Sequence, residues 1–115
     1  MTPEDFRKLA LELPGTVESA HMGHPDFRVG GKIFATLSPK DGWAMVKLTP
    51  DEQEVFMRAA PDVFSPVNGA WGRGGATSVR LARCTRTIAR DGLAAAWRGR
   101  APKPLVREFD SRRQK

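Results

Sequence analysis

The sequence predicts one domain of the α+β class, and three observations predict it. At 115 residues the chain has room for one compact core and too few residues for two. Around Gly30 and Gly31 the residues alternate apolar and polar, Phe27 and Val29 before, then Ile33, Ala35 and Leu37 after, which is the period of a half-buried strand. Two Thr-Pro pairs, Thr2-Pro3 and Thr49-Pro50, each open a pattern at helical spacing.

Thr2 caps the first helix, Pro3 takes its first position, and Asp5 is placed to close a capping box. Phe6, Leu9, Ala10 and Leu13 follow at i, i+3, i+4 and i+7, an apolar stripe that stops at Pro14 and Gly15. Residues 16–20 read as a short, weak strand. The hairpin from His21 to Leu37 comes next. Keeping Phe27, Val29, Ile33, Ala35 and Leu37 on one face requires a three-residue or bulged turn. A two-residue Gly30-Gly31 loop would set Phe27 opposite Phe34 and mix the faces.

Residues 38–42, SPKDG, are a turn, and residues 43–48 a third strand with Ala44, Val46 and Leu48 inward. Thr49, Pro50 and Glu52 repeat the capping box, and the second helix presents Val55, Phe56 and Ala59 to the core. Residues 62–75 carry four glycines and are read as irregular, with Trp71 folded back on the core. A fourth strand turns Val79 and Leu81 inward. A last helix, about residues 87–98, stacks Ile88, Ala89, Leu93, Ala96 and Trp97.

The net charge of +6 is unevenly placed. Residues 1–82 hold nine Lys and Arg against ten Asp and Glu, a net −1; residues 83–115 hold ten against three, a net +7. Such a surplus suits polyanions, since cations that neutralise phosphates release counterions. Its last part, residues 106–115 with Arg107, Arg112, Arg113 and Lys115, reads as a flexible basic tail. No apolar run reaches the roughly 18 residues of a membrane span, and Pro3, Glu4 and Asp5 spoil a signal peptide, so a cytoplasmic protein without membrane contact is expected. Cys84 is the single cysteine, which excludes an intrachain disulfide.

His21, His24 and Asp26 lack a third nitrogen or sulfur ligand, so no metal or cofactor is expected. Neither Cys84 nor any serine sits in a nucleophile motif, and the glycines of Trp71-Gly72-Arg73-Gly74-Gly75 match neither a P-loop nor a dinucleotide fingerprint. The chain is expected not to be an enzyme. The assigned strands leave Asp26, Arg28, Lys32, Phe34, Thr36, Trp43, Met45, Lys47, Ser78 and Arg80 on the second face of the sheet. That pattern, four cations with two aromatics and one anion, suits a nucleic-acid strand.

Residues 23–37, GHPDFRVGGKIFATL, together with KLTP at 47–50, GAWGRGG at 69–75, AWR at 96–98 and APK at 101–103, resemble the bacterial MmcQ/YjbR family. The resemblance runs to Leu105. It implies an antiparallel sheet with helices packed against it, akin to secretion-chaperone-like folds, in one domain over residues 1–105. Members are commonly labelled DNA-binding for a double-wing arrangement of hairpins. The family's motif falls here on Gly23, His24, Pro25, Asp26, Phe27, Arg28, Gly31, Lys32, Trp71, Gly72 and Arg73. Ala76 departs from it, standing where an aromatic is common. The expectation is a small non-enzymatic protein, monomer or weak homodimer, that contacts DNA phosphates through Arg28, Lys32, Lys47, Arg73 and Arg80 with Trp43 or Trp71 packing on sugar or base. The alternatives are a protein-interaction or chaperone-like module that dimerises through Phe34, Trp43 and Met45, or an enzyme or small-molecule binder using His24, Asp26, Arg28 and Trp71 around a pocket.

Overall fold

The computed structural model describes residues 1–21 and 23–113. Helix α1 (Pro3–Leu11) leads into a meander of β1 (Val17–His21), β2 (His24–Val29), β3 (Lys32–Ser38) and β4 (Trp43–Lys47). Then come α2 (Pro50–Ala59), β5 (Phe64–Pro66), the single turn α3 (Ala70–Arg73), β6 (Ala76–Arg80), a 3₁₀ turn at Leu81–Arg83, α4 (Arg86–Arg100) and α5 (Lys103–Arg113). The six strands form one antiparallel sheet in the order β1-β2-β3-β4-β6-β5.

Both capping boxes form. Thr2 Oγ1 accepts from the Asp5 N–H while Thr2 N–H donates to the Asp5 carboxylate, and Thr49 and Glu52 repeat the exchange at 3.1 and 2.9 Å. Each satisfies two backbone donors that a helix start would otherwise leave without partners. Helices α1 and α4 pack on each other and on the middle of the sheet. Phe6, Phe27, Phe34, Val46, Leu93 and Trp97 meet there, all essentially inaccessible to solvent, and the Trp97 indole N–H donates to the Pro14 carbonyl at 2.9 Å.

The hairpin differs from the expected register in an instructive way. Gly30 and Gly31, at φ +60° and +78°, make a two-residue turn, with Val29 opposite Lys32. The bulge lies in the strand instead. Arg28 pairs with Ile33 and Phe27 with Ala35, so Phe34 is the extra residue. Phe34 therefore enters the core rather than the second face, and Ile33 moves to that face. Lys32 shares the side of its partner Val29, so it leaves the predicted basic surface.

Three further expectations are corrected. Residues 62–75 contain β5 and α3, held by backbone hydrogen bonds such as Val67 N–H to the Ala76 carbonyl. In α2 the buried residue is Gln53 and Val55 is exposed. The Gln53 amide donates to the Gly72 and Ala76 carbonyls and to Thr77 Oγ1, at 3.0–3.1 Å, which ties the helix to the segment around α3. Finally, residues 106–113 are helical, not a loose tail. Phe109 lies 5.0 Å from the Trp97 ring, and Asp110 forms a two-pronged ion pair with Arg98. The driving force is a short apolar seam, Leu105, Val106 and Phe109, each half-buried against the core.

Candidate functional site

With α1 and α4 on one side, the other side of the sheet stays open. Arg28, Ile33, Thr36, Trp43, Met45, Lys47 and Ser78 are partly exposed on it and Arg80 is exposed. Cross-strand pairing lines them up: Asp26, Thr36, Met45 and Ser78 form one row, and Trp43 lies opposite Arg80. The Arg80 guanidinium sits 5.7 Å from the Trp43 ring centroid, a cation–π contact that keeps one face of the indole occupied.

Asp26 is the only acidic residue that the strands turn to this face among the described residues, and it is completely buried. Arg28, two residues on and on the same side, closes over it with Nε to Oδ1 at 2.9 Å and an NH2 to Oδ2 at 3.1 Å. That carboxylate raises the pKa of Arg28 further. Arg28 is thus committed to an internal partner rather than offered to a ligand, the first correction to the predicted binding set.

Beyond β6 the tight segment from Gly69 to Gly75 carries Trp71 and Arg73. A Cβ on Gly72 would stand 1.6 Å from the Val67 carbonyl oxygen, and one on Gly75, at φ +111°, 1.9 Å from that of Leu48. Both glycines are required by close backbone approach. Trp71 does not fold back on the core: it is 73% exposed, because α3 is a single turn whose buried side is Gly72.

Between Trp71 and the sheet lies a cleft of about 380 Å³, floored by Ile33, Thr36, Met45 and Ala76. Lys47 and Arg100 complete its lining, and no carboxylate takes part. Lys47 Nζ donates to the Gly74 carbonyl at 3.3 Å, which holds it beside α3. Arg100 ends α4 close to the hairpin tip, where a Cβ on Gly30 would meet Pro102 at 3.3 Å. Sequence reasoning missed Arg100 because nothing local tells that the end of α4 reaches the open face. Among the described residues Lys47, Arg73, Arg80 and Arg100 form no ion pair.

The other candidates separate. His24 and Pro25 begin β2 at the far end of the sheet, where exposed His24 lines a shallow depression with Ser38, Pro39 and Lys40. Phe27 is core, in edge-to-face contact with Phe6. His24, Asp26, Arg28 and Trp71 therefore share no cavity among the described residues, and with Phe34 buried the apolar patch proposed for a protein partner loses one of its two aromatics. Among the described residues no group of three His, Cys, Asp or Glu is placed to hold a metal, and the part of that reading resting on the His21 side chain lies outside what is described. Cys84 is buried, which pushes its thiol pKa up and away from reactivity. No helix is long and apolar enough to cross a membrane among the described residues.

No curated protein matches the chain. Among solved structures it is similar to the crystal structure of the Deinococcus radiodurans protein DR2400, described as a DUF419 domain, with a TM-score of 0.71 and 19% identity. That match covers 95% of this chain and 88% of the other, and it establishes a shared fold. The YjbR family model matches residues 11–99, from the end of α1 to the last turn of α4, and so takes in the whole sheet, the Asp26–Arg28 pair and the Trp71 segment. By that match the chain belongs to the YjbR family.

Proposed function

We propose that the open face of the sheet binds DNA through the phosphate backbone, weakly and with little dependence on sequence. The observation that carries this reading is the charge balance of that face. Its one strand-borne acid, Asp26, is buried and neutralised by Arg28, whereas Lys47, Arg73, Arg80 and Arg100 have no acidic partner among the described residues. Four unpaired cations beside exposed Trp71 and half-exposed Trp43 suit a backbone of phosphates with sugars and bases alongside. Among the described residues no base-reading helix projects from this face, which fits contact without sequence preference.

Four phosphate contacts give a steep salt dependence. Raising salt from about 50 mM to about 200 mM would weaken duplex binding on the order of 100-fold. Fluorescence anisotropy of labelled DNA against the full chain tests this, with Lys47→Glu and Arg80→Glu as the charge-reversed controls. Both variants are expected to lose binding at low salt. No binding at about 50 mM salt, or an affinity indifferent to salt, refutes the reading.

A further inference from the structure

Resting on the reading that this face binds nucleic acid, we infer that the cleft between Trp71 and the sheet receives one unpaired nucleobase, so that the protein prefers single strands to duplex. Lys47 and Arg100 would hold the adjoining phosphate.

The first support is the shape and lining of the cleft. Its floor of Ile33, Met45, Ala76 and the Thr36 side chain offers apolar surface, and the indole of Trp71 forms one wall. Ala76 is essentially inaccessible and contributes only a methyl group, which leaves room above it. At about 380 Å³ the space lies in the lower part of the range of small-ligand sites. Cations at an apolar slot with no carboxylate in its lining match a flat ring that carries an anion.

The second support is rigidity. An indole that is 73% exposed would ordinarily belong to a loose loop. Here the backbone beneath it is fixed by the close approaches of Gly72 to Val67 and Gly75 to Leu48, and by the three hydrogen bonds of Gln53. The backbone that carries the ring is fixed beside the cleft before any ligand arrives, which lowers the ordering cost of binding.

The third is exclusion of the alternatives. A paired base has both faces stacked and cannot enter a slot between an indole and a sheet, whereas an unpaired base presents a free face. The other aromatic of this surface, Trp43, lies four residues before Lys47 on β4, about 13 Å from it at the usual strand rise, with Arg80 on its ring. Trp71 is therefore the side chain left for stacking.

The test titrates the full chain with an oligothymidylate, a mixed-sequence duplex and free thymidine monophosphate at about 50 mM salt. The oligothymidylate should bind at least several-fold more tightly than the duplex and quench tryptophan emission. Trp71→Ala should weaken the single strand roughly tenfold and the duplex by far less, and Trp71→Phe should recover most of the loss. An unchanged melting temperature in these variants separates binding from folding. Duplex bound as tightly as single strand, or an equal loss on both forms in Trp71→Ala, overturns the cleft while leaving the phosphate reading in place. Mononucleotide bound as tightly as the oligomer overturns the assignment to a strand. Failure of both DNAs to bind at that salt overturns the cleft together with the reading beneath it.

Discussion

Arg28 offers the sharpest test of the structural account, because sequence pattern makes it a phosphate ligand and the structure makes it the cover of a buried acid. In Arg28→Met the side-chain stem remains and the guanidinium goes. Asp26, with no exposed surface, then loses both hydrogen bonds, at 2.9 and 3.1 Å, and its compensating charge. Breaking a fully buried pair from one side costs about 3–5 kcal/mol. The Arg28 side chain is 37% exposed, however, so water can reach the space it vacates and the cost falls to about 2 kcal/mol. For a domain of this size that corresponds to roughly 8 °C in melting temperature. Adding Asp26→Asn removes the stranded charge, and the double variant should regain about 1 kcal/mol over Arg28→Met alone. Urea melts followed by circular dichroism measure the parent, both single variants and the double variant, and DNA anisotropy supplies the second readout, expected to be unchanged in Arg28→Met. An Arg28→Met protein within about 0.5 kcal/mol of the parent, or a double variant no better than the sum of the singles, refutes the argument.

Gly72→Ala should cost about 3 kcal/mol or more, since its Cβ would stand 1.6 Å from the Val67 carbonyl; Gly74→Ala, whose nearest neighbours lie at 3.5 Å, should stay within about 0.5 kcal/mol, and paired urea melts make the comparison. Phe109→Ala should cost about 2 kcal/mol and shift tryptophan emission to the red, because its ring covers Trp97 and walls a cavity between α1 and α4. The Asp5 carboxyl is held below its usual value of 3.8, chiefly by the Thr2 N–H and then the Thr2 hydroxyl, so it contributes stability above that value and loses it as pH falls through the lower folded-state value. The difference in melting temperature between the parent and Asp5→Asn should accordingly be present near pH 5 and shrink toward about pH 2.

Much of the fold was legible because its signals are local. A threonine, a proline and an acid within four residues specify a helix start wherever they occur, and both such starts formed. The alternating runs became strands in the expected order. What escaped detection depends on partners distant in sequence. Gln53 looks like a surface residue of α2 until Gly72 and Ala76 bring two carbonyls to it from 19 and 23 residues away. Residues 106–113 look like a charged tail because their apolar seam is short and its counterpart, Trp97, lies on another helix. The candidate site was legible in part: Lys47, Arg80 and Trp71 lie on or beside the open face and Arg73 two residues past Trp71 in α3, while Arg28 is bound to Asp26 and Lys32 turns to the other side. Arg100 could be added only once α4 was seen to end at the cleft.

The extra residue in β3 has a consequence for how chain length can change. Removing Phe34 would leave Lys32 and Ile33 opposite Val29 and Arg28, and would bring Ala35 and Thr36 opposite Phe27 and Asp26 without a break, the pairs that exist already. A one-residue deletion at this point would therefore shift no frame: the damage would be confined to an emptied ring-sized space in the core. Phe34 is in effect an insertion that the hairpin carries for the sake of its core, and relatives that differ in length by one residue can do so here without rearranging the sheet.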